Sequence, residues 1–246
     1  MKERCRIGMK LEHPSGHFRN NTWYPSSCSM QTYRSMEELN KCMQGKFIYL
    51  FGDSTLRQWS LYLQHKLTSL KILNLYEDGW ATRHFGVDLK RNIIVQWKRH
   101  TIPFISTGYQ SYTEERTIPR ETDLIGGHQH TVIVINIGIH FRAHPLHHFI
   151  RRLLNIRRAL ERLFLRSPQT KVIIKTEHSG NIKNGYEDFG DLHGYVQYLT
   201  LALVFNDINV GFVNGWDMTS AFNAKIVHPP DTYVQNEVDM LMTYIC

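Results

Sequence analysis

Ser54 lies in the run Gly52-Asp53-Ser54-Thr55, directly after the apolar stretch Phe47–Phe51. A serine on a sharp strand-to-helix turn presents its hydroxyl. Its own N–H lies near the positive end of the following helix, where an oxyanion is stabilised. A hydroxyl attacks an ester only when a base takes its proton. The candidate base is His228 in Val227-His228-Pro229-Pro230, a loop stiffened by prolines of fixed φ. Such a base needs a carboxylate at its second nitrogen, and Asp217 in Trp216-Asp217-Met218 is the candidate. Asn136, in Asn136-Ile137-Gly138-Ile139-His140, is a candidate side-chain oxyanion donor beside the Ser54 N–H. Gly79 is a candidate further backbone donor, with Gly108 as its rival. Each residue also has a plainer reading: Asp53, Ser54 or Asp217 as a helix N-cap, Asn136 as a strand-end polar group, and His228 as one of 14 histidines.

These residues need a frame that brings strand ends together. Phe47–Phe51 reads as a buried strand closed by Gly52, and Leu56, Trp59, Leu63 and Leu67 recur at helical spacing after it. Ile72–Leu75, Ile93–Trp97, Thr131–Ile137, Val172–Lys175 and Val210–Val213 read as further strands. His147–Arg166, Leu192–Phe205 and Thr232–Tyr244 read as helices. Alternating strands and helices predict an α/β domain with a mainly parallel sheet covered on both faces. In such sheets ligands bind beyond the carboxyl ends of the strands. Residues 1–45 differ: they hold Cys5, Cys28 and Cys42 and predict a loop-rich lead-in to a domain over 46–246.

Composition narrows the classes. The chain has 246 residues, 42% hydrophobic and 21% charged, which excludes disorder, collagen and coiled coil. No apolar stretch approaches the roughly 20 residues of a spanning helix. The net charge of +7 permits an acidic partner without demanding one. Arg151, Arg152, Arg157, Arg158, Arg162 and Arg166 crowd one helix without a nucleic-acid reading motif, so no nucleic-acid partner is expected. His128, His130, His140, His144, His147 and His148 form no His-Glu-x-x-His pattern, and no metal is expected. The fourth cysteine is Cys246, and four cysteines allow three pairings. A bridge from lead-in to terminus would explain their placement at both ends. Disulfides need an oxidising lumen, which suits the sequon Asn20-Asn21-Thr22.

Gly-Asp-Ser, a later strand-end Asn and a C-terminal His resemble the SGNH/GDSL hydrolases. Further segments are similar to the PC-esterase domain of the NXPE family (neurexophilin and PC-esterase domain proteins). They are Asn21–Pro25 with Ser27-Cys28-Ser29, Leu50–Trp59, Val95–His100, Asn136–His140, Trp216-Asp217-Met218-Thr219, Val227–Pro230 and Tyr244-Ile245-Cys246. The resemblance implies a three-layer α/β/α domain acting on acyl esters of glycans. Implied roles are Ser54 as nucleophile, His228 as base, and Asn136 with the Ser54 N–H as oxyanion donors. It implies a carbohydrate O-acetyltransferase, with sialic acid the favoured acceptor, or an O-acetyl esterase. No bound cofactor is expected, and acetyl-CoA is a candidate acyl donor. Arg57, Lys98, Arg99, His100, His140 and Arg142 lie in or near the motifs and are candidates to hold an anionic glycan or sialylated glycoprotein. The superfamily places Asp three residues before the catalytic His, where this chain has Lys225. An inactive secreted glycan- or protein-binding module on the same fold is the alternative. Family members carry a signal segment and a neurexophilin-like region, so the expectation is the C-terminal half of a longer protein of the secretory pathway.

Overall fold

The computed structural model describes residues 2–73, 84–104, 116–179, 190–224 and 226–246. Its centre is a seven-stranded sheet in the order β4-β5-β6-β3-β7-β8-β9. The strands are β3 (Phe47–Gly52), β4 (Lys71–Ile72), β5 (His84–Asp88), β6 (Ile93–Arg99), β7 (Thr131–Ile135), β8 (Lys171–Lys175) and β9 (Gly211–Val213). From β6 to β9 every pairing is parallel, while β4 and β5 close one edge with antiparallel pairings. A separate antiparallel hairpin pairs β1 (Gly16–Arg19) with β2 (Thr22–Pro25).

Side-chain alternation divides the core into two clusters, one on each face of the sheet. Ile48, Leu50, Val132, Val134, Val95 and Trp97 face one way. There they meet α1 (Met36–Met43), α2 (Ser54–Lys66) and α7 (Asp231–Ile245). Phe51, Ile133, Ile135, Val172 and Ile174 face the other way, toward α4 (Leu146–Arg166) and α5 (Asp191–Phe205). The short α3 (Ile118–Leu124) adds Ile118 to that second cluster. The result is the expected three-layer α/β/α arrangement with a mainly parallel sheet. The apolar stripe of α4 is buried through Phe149, Leu153, Ile156, Leu160 and Leu163, as its helical spacing requires.

The lead-in is more ordered than its composition predicts. Asn20 and Asn21 turn the hairpin with φ of 49° and 57°, the left-handed pair that a two-residue hairpin turn demands. This places the sequon on an exposed turn. Ser35 and Glu38 form a capping box at the start of α1. Cys5 bridges to Cys28, and Cys42 at the end of α1 bridges to Cys246. The expected bridge from lead-in to terminus is therefore Cys42–Cys246. The antiparallel β5 lies outside the predicted strands. Trp216-Asp217-Met218 does follow the last strand, within the first turns of α6 (Gly215–Phe222).

Candidate active site

β3 ends at Gly52, and α2 begins at Ser54. A Cβ on Gly52 would stand 2.7 Å from the Asn136 carbonyl oxygen, so the ends of β3 and β7 approach this closely only with glycine there. Asp53 is the N-cap: its Oδ1 accepts from the Thr55 N–H at 2.8 Å and from the Thr55 hydroxyl at 2.7 Å. With the cap supplied by Asp53, the Ser54 hydroxyl is left for another partner. That partner is His228, whose Nε2 lies 2.7 Å from Ser54 Oγ. The Ser54 N–H is among the first-turn amides of α2, which have no intrahelical acceptor.

The pKa of His228 lies below its ordinary 6.5. Loss of solvent around the ring is the main cause. Asp53 pulls the other way, and His178, Arg57 and Lys175 add to the lowering. The imidazole is therefore neutral at pH 7, and its Nε2 can accept the serine proton.

Asp217 is not the carboxylate at this histidine. It is buried in the first turn of α6, where its carboxylate accepts from His13 Nδ1 at 2.9 Å and from the Ser15 N–H at 2.7 Å. Its chemistry is that of an anchor for the lead-in. Asn136 is wholly buried at the expected strand end, but its Nδ2 points at the carbonyls of Lys175 (3.3 Å) and Thr176 (3.5 Å). These contacts brace the end of β7 against the end of β8. Gly79, Gly108 and Lys225 lie outside the described residues.

The six candidate glycan contacts separate. Arg142 is wholly enclosed, with Nε 2.9 Å from Glu177 and Nη2 2.7 Å from the His178 carbonyl. His100 is buried, donates from Nδ1 to the Thr101 carbonyl at 2.8 Å, and is pushed down to about 4 chiefly by burial. His140 is buried beside it, stacked on Phe104 with centroids 4.2 Å apart. Lys98 is paired with Glu121 at 2.7 Å. Arg57 and Arg99 keep part of their surface, and the Arg57 charge reaches His228. β7 separates His128 and His130, before it, from His140, after it. Among the described residues no group of three His, Cys, Asp or Glu side chains could hold a metal ion.

A buried network beneath Ser54 escaped sequence reading. Lys175 Nζ, wholly enclosed at the end of β8, donates to Thr55 Oγ1 at 3.1 Å and meets His178 Nε2 at 3.0 Å and Glu237 Oε1 at 3.4 Å. Glu237, on α7, also accepts from Trp59 Nε1 at 2.8 Å and from the Tyr233 hydroxyl at 3.0 Å. Burial alone would raise Glu237, but Lys175, His178 and the Trp59 N–H hold it at about 2. A lysine closing a Val-Ile-Ile strand and a glutamate inside an apolar helix were the available signals. Neither type is usually enclosed without a partner.

The family model for the NXPE family member 4-like C-terminal domain matches residues 23–246. That span takes in all of β2 but Thr22, the Ser54 turn, the buried network and the His228 loop, and on this match the chain belongs to the NXPE family, of which it carries the C-terminal PC-esterase, SGNH-like domain.

Proposed function

We propose that this domain transfers acyl groups through Ser54, as a carbohydrate O-acetyltransferase or an O-acetyl esterase. The observation that carries the reading is the 2.7 Å contact between Ser54 Oγ and His228 Nε2 at the carboxyl end of a parallel sheet. His228 takes the hydroxyl proton as Ser54 Oγ bonds to the acyl carbon of an acetyl donor. The carbonyl oxygen becomes an oxyanion, to which the Ser54 N–H at the start of α2 would donate. His228 returns the proton to the leaving group, and an acetyl-serine remains. A sugar hydroxyl or water then gives its proton to His228 and attacks the acyl carbon, and His228 returns that proton to Ser54 Oγ as the acyl–Oγ bond breaks, releasing the sugar ester or acetic acid. The acceptor decides between transferase and esterase, according to how well the site excludes water.

Arg57 and Arg99, both partly open and close to the motif ends, favour an anionic glycan such as a sialylated one, as does the net charge of +7. Acetyl-CoA is the candidate donor. Two disulfides suit an oxidising lumen of the secretory pathway. A second reading, a binding module that keeps the fold without catalysis, draws support from Asp217 and Asn136 having other partners.

The test is a serine-directed fluorophosphonate, followed by acetyl-CoA with sialylated glycans and mass spectrometry for added acetyl groups. The catalytic reading expects labelling at Ser54, with Ser54→Ala and His228→Ala each lowering acetyl transfer by at least about 10³-fold. Full activity in either variant defeats it, and silence toward several probes favours the binding module.

A further inference from the structure

His228 lacks a carboxylate partner among the described residues, yet its ring is aimed at Ser54. We infer that His178 and Gln58 are positioning residues that aim it through the backbone on either side. This rests on reading Ser54 and His228 as an acylating pair. The residue before the histidine is Val227, whose carbonyl lies 3.0 Å from His178 Nδ1. A carbonyl only accepts, so Nδ1 must carry the hydrogen. The residue after it is Pro229, whose carbonyl accepts from Gln58 Nε2 at 2.9 Å. Gln58 lies one turn beyond Ser54 on α2, so the helix that presents the nucleophile also grips the base loop. His178 is fixed in turn: its Nε2 is 2.9 Å from Glu237 and 3.0 Å from Lys175, and Lys175 reaches back to Thr55.

The circuit closes on itself. The Pro230 carbonyl accepts from the Tyr233 and Val234 amides at the start of α7. The same helix supplies Glu237, which holds His178, which holds Val227. Gly215 leaves the room: a Cβ there would meet His178 at 3.0 Å and Glu237 Oε1 at 3.1 Å. A carboxylate on the imidazole sets ring orientation directly. Here two hydrogen bonds fix the chain before and after the ring, and the Asp53 charge acts on the imidazole from a distance.

The experiment compares wild type, His178→Phe, His178→Gln and Gln58→Leu by hydrogen exchange at the Tyr233 and Val234 amides, which close the His228 loop onto α7 through the Pro230 carbonyl, and by the rate of fluorophosphonate labelling at Ser54. In His178→Phe, exchange at the two amides rises about tenfold or more and labelling slows about 10–100-fold, the cost of misplacing a reacting group by about an ångström. His178→Gln keeps an N–H for the Val227 carbonyl and recovers most of both losses. Gln58→Leu changes both readouts in the same direction, less strongly, and leaves the buried network intact. Wild-type exchange at these amides in folded His178→Phe, or in Gln58→Leu if the first variant does not fold, overturns the inference. Equal losses in the Phe and Gln variants also overturn it, because they point to general damage. A wild type that resists labelling defeats the acylation reading alone, and the exchange comparison still decides the positioning.

Discussion

Two buried polar regions meet at the Ser54 turn, and they manage charge in opposite ways. On one side Lys175, His178 and Glu237 sit within hydrogen-bonding reach of one another, and Glu237 is held ionised at about 2. On the other side lie His100, His140 and the Arg142–Glu177 pair, in reach of the charge on Asp53. Here burial dominates: it lifts Glu177 to about 7 despite the Arg142 guanidinium, and it takes His100 down to about 4. Asp53 Oδ2, His100 Nε2 and Glu177 Oε1 find no hydrogen-bond partner among the described residues. Burial penalises charge on both sides. The first region answers with matched ions and donors, the second by shedding charge. A matched network fixes geometry, which suits a frame for the His228 loop. A region of neutralised groups responds to pH.

The comparison breaks most readily at Glu237. Glu237→Ala leaves Lys175 enclosed without its anion, and the expected loss is about 3–5 kcal/mol, read as a fall in Tm of about 6–20 °C. Adding Lys175→Met should restore part of that loss, since it removes the uncompensated cation. A double variant as damaged as the sum of the singles would deny that the two act as a pair.

Glu177→Gln is expected to be milder at acid pH and to change the pH dependence instead. A carboxyl raised in the folded state contributes stability that is full below about 4.5 and lost as pH rises toward about 7. Relative to wild type, Glu177→Gln should therefore gain stability between pH 4.5 and pH 7, by up to a few kcal/mol. A parallel pair of stability curves would place Glu177 among the matched ions. His100 works with the opposite sign. Its contribution is full above 6.5 and lost as pH falls toward about 4, so His100→Gln should flatten the acid limb of denaturation. The smallest effect is on the turn between the two regions. With the pKa of His228 below 6.5, Ser54 acylation should already be on its plateau at pH 7 and decline only in more acid buffer. A rate still climbing above pH 7 would mean that His228 is charged there.

The frame was readable because its signals are local. Continuous apolar runs at 47–51 and 131–137 mark strands buried on both faces, helical spacing at 56–67 and 147–166 marks helices that bury one, and those elements form where expected. The β5 strand escaped because Gly86 interrupts its apolar residues and His84 and Asp88 bound it with polar ones. The capping box at Ser35 and Glu38 was legible but was submerged in a stretch without apolar period. Ser54 and His228, which the structure brings to 2.7 Å, were legible as candidates because turn chemistry marks both. Asp217 misled because a carboxylate at a suitable strand end says nothing about which histidine it faces. Its partner is His13, 204 residues away, not His228. Lys175 and Glu237 each stood out as a charge in an apolar element, but their pairing with each other and with His178 stayed hidden for the same reason: it spans loops that no spacing rule covers.

The Cys42–Cys246 bridge makes a covalent ring of everything from α1's last turn to the final residue. All seven strands of the main sheet lie within it, as do Ser54 and His228. A protease that cuts once in any loop inside the ring opens it without releasing a fragment. The nicked protein would keep both halves of the Ser54–His228 pair in one molecule, run as a single species on a non-reducing gel, and separate into two pieces only after a reductant is added.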